Sequence, residues 1–142
     1  MMSVPRASLA LGLAGLIPFV FGALTTLGWA PPVMGMGGPI FTLTYGTVIL
    51  SFMSGVLWGF ATKTDGARAT AGYVLSVLPA LWAFFMRGDG MSSAAIYQIT
   101  GFIGLLIIDS RFAAWGLAPA WWMRLRIVLT TIVVLSLGAL LI

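Results

Sequence analysis

Five long apolar stretches constrain this chain more than any other feature of its sequence. A helix needs about 20 apolar residues, with a range of about 17 to 25, to cross the hydrocarbon core of a bilayer, and each stretch fits that range. The connections between the stretches are short and hold most of the charged residues. We therefore predict an all-α membrane protein, a bundle of five transmembrane helices forming one domain over residues 1–142. The predicted helices cover residues 8–29, 40–61, 69–86, 92–108 and 121–142.

The composition agrees with a membrane protein and argues against several soluble functions. Hydrophobic residues make up 61% of the chain, against seven Lys or Arg and three Asp or Glu residues among 142. A soluble domain usually has about a quarter of its residues charged. The basic residues are scattered and form no patch for nucleic acid, so we predict contact with the lipid bilayer and none with nucleic acid.

Residues that carry chemistry are scarce. The chain has no histidine and no cysteine, which removes the usual general base and the usual soft metal ligands. It also lacks paired carboxylates and a serine beside a base. We therefore predict a protein that is not an enzyme and that has no metal site and no cofactor.

The distribution of Lys and Arg predicts the orientation of the bundle. With five spans, the N-terminus shares one side of the membrane with the second and fourth connections, and all basic residues except Arg87 belong to that side. Cytoplasmic loops are enriched in Lys and Arg. We predict a multi-pass protein of the bacterial inner membrane, with a cytoplasmic N-terminus and a periplasmic C-terminus.

Small residues recur every four positions along the second predicted helix. We call Thr47, Ser51, Gly55 and Gly59 the small-residue stripe. Helices associate in lipid through close backbone contact and interhelical hydrogen bonds, and GxxxG sequences permit that contact. The stripe therefore predicts a helix-packing face. It packs either against other helices of the same bundle, which we favour, or against a partner protein or a bound amphiphile.

Asp109 is the only carboxylate next to a long apolar run. An ionisable residue within a membrane segment is a functional hypothesis by default. Basic residues are close in the sequence, and we predict an interfacial ion pair that clamps the fourth and fifth helices. The alternative is a proton or cation site, but a proton relay normally needs a second buried acid. The predicted cluster consists of Asp109, Arg111, Arg124 and Arg126.

The fourth predicted helix carries a polar cluster at Tyr97, Gln98 and Thr100. Tyr97 and Gln98 do not share a helix face, so one of them should point inward and bond to a neighbouring helix. A ligand contact is the alternative. We predict Tyr97, Gln98 and Trp58 as possible ligand contacts.

Four segments resemble a known family. Tyr45 and the segment ILSFMSGVLWG (residues 49–59) are similar to the Y…ILSFLGGVHWG signature of the domain-of-unknown-function 3429 family. Residues 119–130 resemble its PxWYxxLRxxLT segment, residues 15–19 its GLIPF, and residues 76–79 its SVLP. Two positions depart from the signature, because a family glycine is Ser54 here and the family histidine is Leu57. The resemblance implies a small polytopic membrane protein without a known reaction, and any activity that needs that imidazole is absent or altered.

Two functions are compatible with these features. The first is an accessory or assembly subunit that packs against other integral subunits of a larger respiratory or photosynthetic complex. The small-residue stripe and the scarcity of chemical groups favour it. The alternative is binding or transport of a small amphiphile such as a quinone, a lipid or a tetrapyrrole, with a bound lipid or quinone as partner.

Overall fold

The structure, a computed structural model, describes residues 3–142. This part of the chain contains helices and no β-strand, apart from an isolated bridge between Val33 and Met36. The predicted all-α class is therefore confirmed. The helices are α1 (Arg6–Ala14), α2 (Ile17–Thr26), α3 (Gly38–Ala61), α4 (Gly66–Phe85), α5 (Met91–Ala114) and α6 (Trp122–Gly138), which a 3-10 turn continues over Ala139–Leu141.

Within residues 3–142, five helical segments are long and apolar enough to cross a membrane. The first of them is broken, because α1 and α2 meet at Gly15 and Leu16. Pro18 lies in the first turn of α2, where its missing N–H disturbs no helical hydrogen bond. The other spans are α3, α4, α5 and α6 with its terminal turn. The five predicted spans are confirmed, and the orientation of the termini stays a prediction.

Helix α3 is central and packs against α2, α4 and α5. Its inward face carries Leu50 and Leu57, both completely buried, which meet Phe19, Phe102 and other residues of the core. Helix α1 differs from the rest because none of its residues is buried. The first half of the first span is therefore a loosely covered wall of the bundle.

Side chains satisfy backbone groups where the spans are interrupted. The Tyr45 hydroxyl donates to the Gly15 carbonyl, beside the break between α1 and α2, at 2.8 Å. The hydroxyl of Ser54 on α3 accepts a hydrogen bond from the Ala80 N–H at 2.8 Å, next to Pro79 inside α4. Lipid offers no water to such groups, so these bonds keep the interruptions stable in the bilayer.

One helix boundary changes the interpretation of a predicted site. The sequence indicates that the fourth span ends at residue 108, but α5 continues to Ala114. Asp109 does not end the helix, and its charge is compensated within the bundle. The carboxylate therefore lies inside a helix and more than a turn from its end.

Candidate functional site

A buried ion pair joins α5 and α6. Asp109 is completely buried, and Arg126 is 4% exposed. The Arg126 Nε donates to Asp109 Oδ2 at 2.9 Å, and the Trp122 indole N–H donates to Asp109 Oδ1 at 2.9 Å. Both carboxylate oxygens are thus satisfied, as an ion held in an apolar interior requires.

The predicted clamp between these helices therefore exists, with Asp109 and Arg126 as its ion pair. The pair is buried within the protein, and its position relative to the membrane interface stays a prediction. Arg111 and Arg124 are exposed at the surface. Trp122 was not predicted as part of the clamp, because the bond of its indole to a carboxylate 13 residues away depends on how α5 and α6 cross.

A cleft of about 140 Å³ lies beside the ion pair, between the first span, α3, α5 and α6. Leu11 and Phe52 border it and are 75% and 64% exposed, so the cleft opens on the lipid-facing surface of the bundle. The deeper wall is apolar except for two residues of α6, Arg126 and Thr130. We call this cavity the lipid-facing cleft. Its remaining lining residues are Gly12, Gly15, Leu16, Phe19, Ile49, Met53, Phe102, Leu129 and Val133.

Both polar residues of the cleft have unsatisfied hydrogen-bonding groups. The Arg126 Nη2 and the Thr130 Oγ1 are buried and have no hydrogen-bond partner. Most buried polar groups in native proteins are paired, so each exception needs a specific explanation. A threonine in a helix commonly bonds the carbonyl four residues earlier, and Thr130 does not. Among the described residues, the other buried side-chain atom without a partner is the Gln98 Oε1, so two of these three atoms belong to the cleft.

The small-residue stripe turns outward. Ser51, Gly55 and Gly59 are exposed, and no atom lies within 4 Å of a Cβ built on either glycine. Only Thr47 meets another helix, where its hydroxyl accepts from the Gln98 amide at 3.2 Å. Internal packing, the favoured interpretation, is therefore wrong for the other three residues. Packing of the stripe against a partner stays a prediction.

Gln98 bonds helix α5 to helix α3. Its Nε2 donates to the Leu43 carbonyl at 2.7 Å, and a Cβ built on Gly46 would overlap its side-chain amide. Gly46, outside the stripe, is thus the glycine of α3 that permits close approach to α5. A second cavity, of about 220 Å³, borders Gln98 and Thr47.

The other two predicted ligand contacts lie elsewhere. The Tyr97 ring packs edge-on against Trp82, with centroids 6.0 Å apart, and the Trp58 ring lies 4.5 Å from that of Tyr73. Neither Tyr97 nor Trp58 borders the cavity beside Gln98. The structure therefore does not bring the three predicted contacts together in one site.

Comparison with known proteins decides the family. Residues 4–142 match the model of a family described as "Protein of unknown function (DUF3429)". The chain belongs to this family. It is similar to transmembrane protein 69 of Xenopus tropicalis, with 36% identity over 94% of this chain and 53% of that protein. Transmembrane protein 69 of Mus musculus is 29% identical, over 96% of this chain and 56% of that protein.

The match confirms the family resemblance and a multi-pass membrane protein. This DUF3429 chain spans about half the length of the curated relatives it matches. No solved structure matches it. In this DUF3429 protein, the two positions that depart from the signature are structural, because Leu57 lies in the core and Ser54 bonds α4.

Proposed function

We propose that this integral membrane protein is not a catalyst and that it binds a small amphiphile in the lipid-facing cleft. The observation that carries the proposal is the pair of unsatisfied polar groups, on Arg126 and Thr130, in an otherwise apolar cavity. Ligand sites are commonly apolar clefts with a few polar groups that orient the ligand. The sequence alone favours an accessory subunit over amphiphile binding. We place amphiphile binding first because the cleft is formed only when the chain is folded.

The size of the cleft limits the head of the ligand. Its volume is about 140 Å³. A cavity of about 150 Å³ in another protein holds benzene. The cleft therefore suits one six-membered ring or a similar small head, and a tetrapyrrole is too large for it.

The tail of such a ligand has a route out of the bundle. Leu11 and Phe52 at the mouth are largely exposed, so an apolar tail can lie among the lipid chains. Entry of the head requires side-chain movement, since the Arg126 and Thr130 atoms are covered. Helix α1 has no buried residue, so a displacement of this wall would disturb little of the core.

Filling the cleft should remove the ligand. A Cβ built on Gly12 lies 3.5 Å from Leu129 and 3.7 Å from Leu125, so Gly12→Ala fits and Gly12→Leu extends into the space between α1 and α6. We expect native mass spectrometry after gentle extraction to show a bound amphiphile on the wild-type protein and on Gly12→Ala. Gly12→Leu should lose it.

Gly55→Leu is the matched control, because it makes the same chemical change at a position whose added Cβ would have no atom within 4 Å. This variant should keep the ligand. Equal ligand occupancy in Gly12→Leu and the wild type would place any bound amphiphile outside the cleft and contradict the proposal.

The outward small-residue stripe favours a second function, that of an accessory subunit. Ser51, Gly55 and Gly59 leave a shallow, smooth track on the membrane-facing surface of α3. Small residues at such spacing allow a helix of another subunit to approach closely. The partner would be another integral membrane protein. The bacterial inner membrane is the proposed location, and the curated relatives named above are from a frog and a mouse.

A larger residue on the stripe should break this association and leave the chain itself intact. We expect Gly55→Leu to unfold at the wild-type temperature and to lose its partner on sizing after gentle extraction. Gly104→Leu is the control, because its Cβ also meets no atom within 4 Å but lies on α5. If wild-type protein migrates only as a protomer or homodimer at native abundance, the accessory function is wrong.

A further inference from the structure

We infer that the lipid-facing cleft selects a neutral ring that carries carbonyl oxygens, the head of a benzoquinone on an apolar tail. The inference rests on the proposed amphiphile binding and names its ligand class. Three properties of the cleft support this inference. Its unsatisfied polar groups are hydrogen-bond donors, its net charge is zero, and its shape suits one flat ring.

The cleft offers hydrogen-bond donors. A guanidinium carries only N–H donors, and the Arg126 Nη2 has no partner. The only neighbouring carboxylate, Asp109, is completely buried and already accepts from Trp122 and Arg126. The Thr130 hydroxyl can donate as well. A ligand head must therefore bring acceptors, as carbonyl oxygens do.

The charge of the cleft favours a neutral acceptor. Arg126 and Asp109 form an ion pair whose formal charges cancel. A bound carboxylate or phosphate would leave at least one net negative charge in an apolar cavity, which is strongly unfavourable. A carbonyl oxygen accepts the same hydrogen bond and adds no charge. Fatty acids and free phosphate esters are therefore poor ligands.

The shape of the cleft favours a single flat ring. Its volume is close to that of the benzene-sized cavity described above. Arg126 and Thr130 lie one helical turn apart on the same face of α6, so carbonyl groups on opposite sides of one ring can reach both residues. Phe19 and Phe102, whose rings pack edge-to-face with centroids 5.9 Å apart, form an aromatic part of the wall.

A competition series tests the inference on the full chain in nanodiscs of zwitterionic lipid. The probes are a short-tail benzoquinone, an alkylbenzene with the same tail, an alkanoate and a short-chain diacylglycerol. We expect the benzoquinone to bind about tenfold or more tightly than the alkylbenzene, because its hydrogen bonds include one to a charged group. The alkanoate and the diacylglycerol should also bind more weakly.

Variants of Thr130 and Gly12 show whether an outcome concerns this inference or the proposed function. Thr130→Val should weaken benzoquinone binding and leave alkylbenzene binding unchanged, while Thr130→Ser should keep both. Equal affinity for benzoquinone and alkylbenzene, or a preference for the alkanoate or the diacylglycerol, would overturn this inference. After either of these results, the proposed function still stands if Gly12→Leu abolishes binding of the probe that the wild-type protein prefers. If Gly12→Leu changes the binding of no probe, the proposed function itself fails.

Discussion

Replacing Asp109 with asparagine should lower the free energy of unfolding by about 3–5 kcal/mol, because it leaves the Arg126 guanidinium buried without its counter-ion. The side chain keeps its size, so the loss comes from electrostatics and not from a cavity. The Trp122 N–H keeps an acceptor only if the amide oxygen faces it. Thermal unfolding in a neutral detergent measures the effect.

A double variant separates the pair from the rest of the fold. Asp109→Leu together with Arg126→Met removes both charges, and replacing a whole buried ion pair with apolar residues of similar volume is often neutral or stabilising. We expect this double variant to unfold closer to the wild-type temperature than Asp109→Asn does, with a remaining loss because the Trp122 N–H has no acceptor, and to lose the ligand of the cleft. An Asp109→Asn protein as stable as the wild type would show that the ion pair does not hold α5 to α6.

The second large effect is expected at Gly46. A Cβ there would overlap the Gln98 amide, so Gly46→Ala must push the Gln98 side chain out of its place between α3 and α5. The variant then loses the bonds to Leu43 and Thr47 and gains an overpacked contact. Overpacking costs about 1–3 kcal/mol, and each interhelical bond contributes about 0.6 kcal/mol. Gly46→Ala should begin to unfold at a lower concentration of a denaturing detergent than the wild-type protein.

Shortening the residue that is overlapped should restore part of this loss. The three atoms nearest to a Gly46 Cβ belong to the Gln98 side chain, so Gly46→Ala with Gln98→Ala should be more stable than Gly46→Ala alone. Gly55→Ala is the control and should unfold like the wild type, because its Cβ meets open space. Equal destabilisation by Gly46→Ala and Gly55→Ala would show that Gly46 is not the position where α3 and α5 approach closely.

The spans were predictable because lipid requires every backbone polar group to be satisfied within the protein, which a helix does almost entirely on its own. Long apolar runs such as residues 40–61 therefore leave the chain little choice but a helix. The sequence could not predict which face of α3 turns inward. Residues facing lipid and residues facing the core are both apolar, so the spacing of Ser51, Gly55 and Gly59 identified a smooth track without its direction. Gly46, outside the stripe, proved to be the close contact.

The site was predictable only in part for a related reason. Asp109 and Arg126 were both in the predicted cluster, because charges near apolar runs are conspicuous. Their burial depends on the extension of α5 past residue 108 and on the crossing of α5 with α6. Thr130 belongs to the segment that resembles the family, but the resemblance assigns it to no site, and a helical threonine ordinarily bonds its own backbone. The lipid-facing cleft itself is formed by segments distant in the sequence.

The measurement that tests the central claim most directly is photolabelling with a benzoquinone whose ring carries a diazirine and whose tail is apolar. Labelling in zwitterionic vesicles followed by peptide mapping should give adducts on the cleft segments of α1, α3 and α6, around Gly12, Met53 and Thr130. An excess of unlabelled benzoquinone should suppress them. Adducts spread over outward residues such as Val74, Phe84 and Ile107, without competition, would show that the ring meets only the lipid-facing surface and would contradict the account.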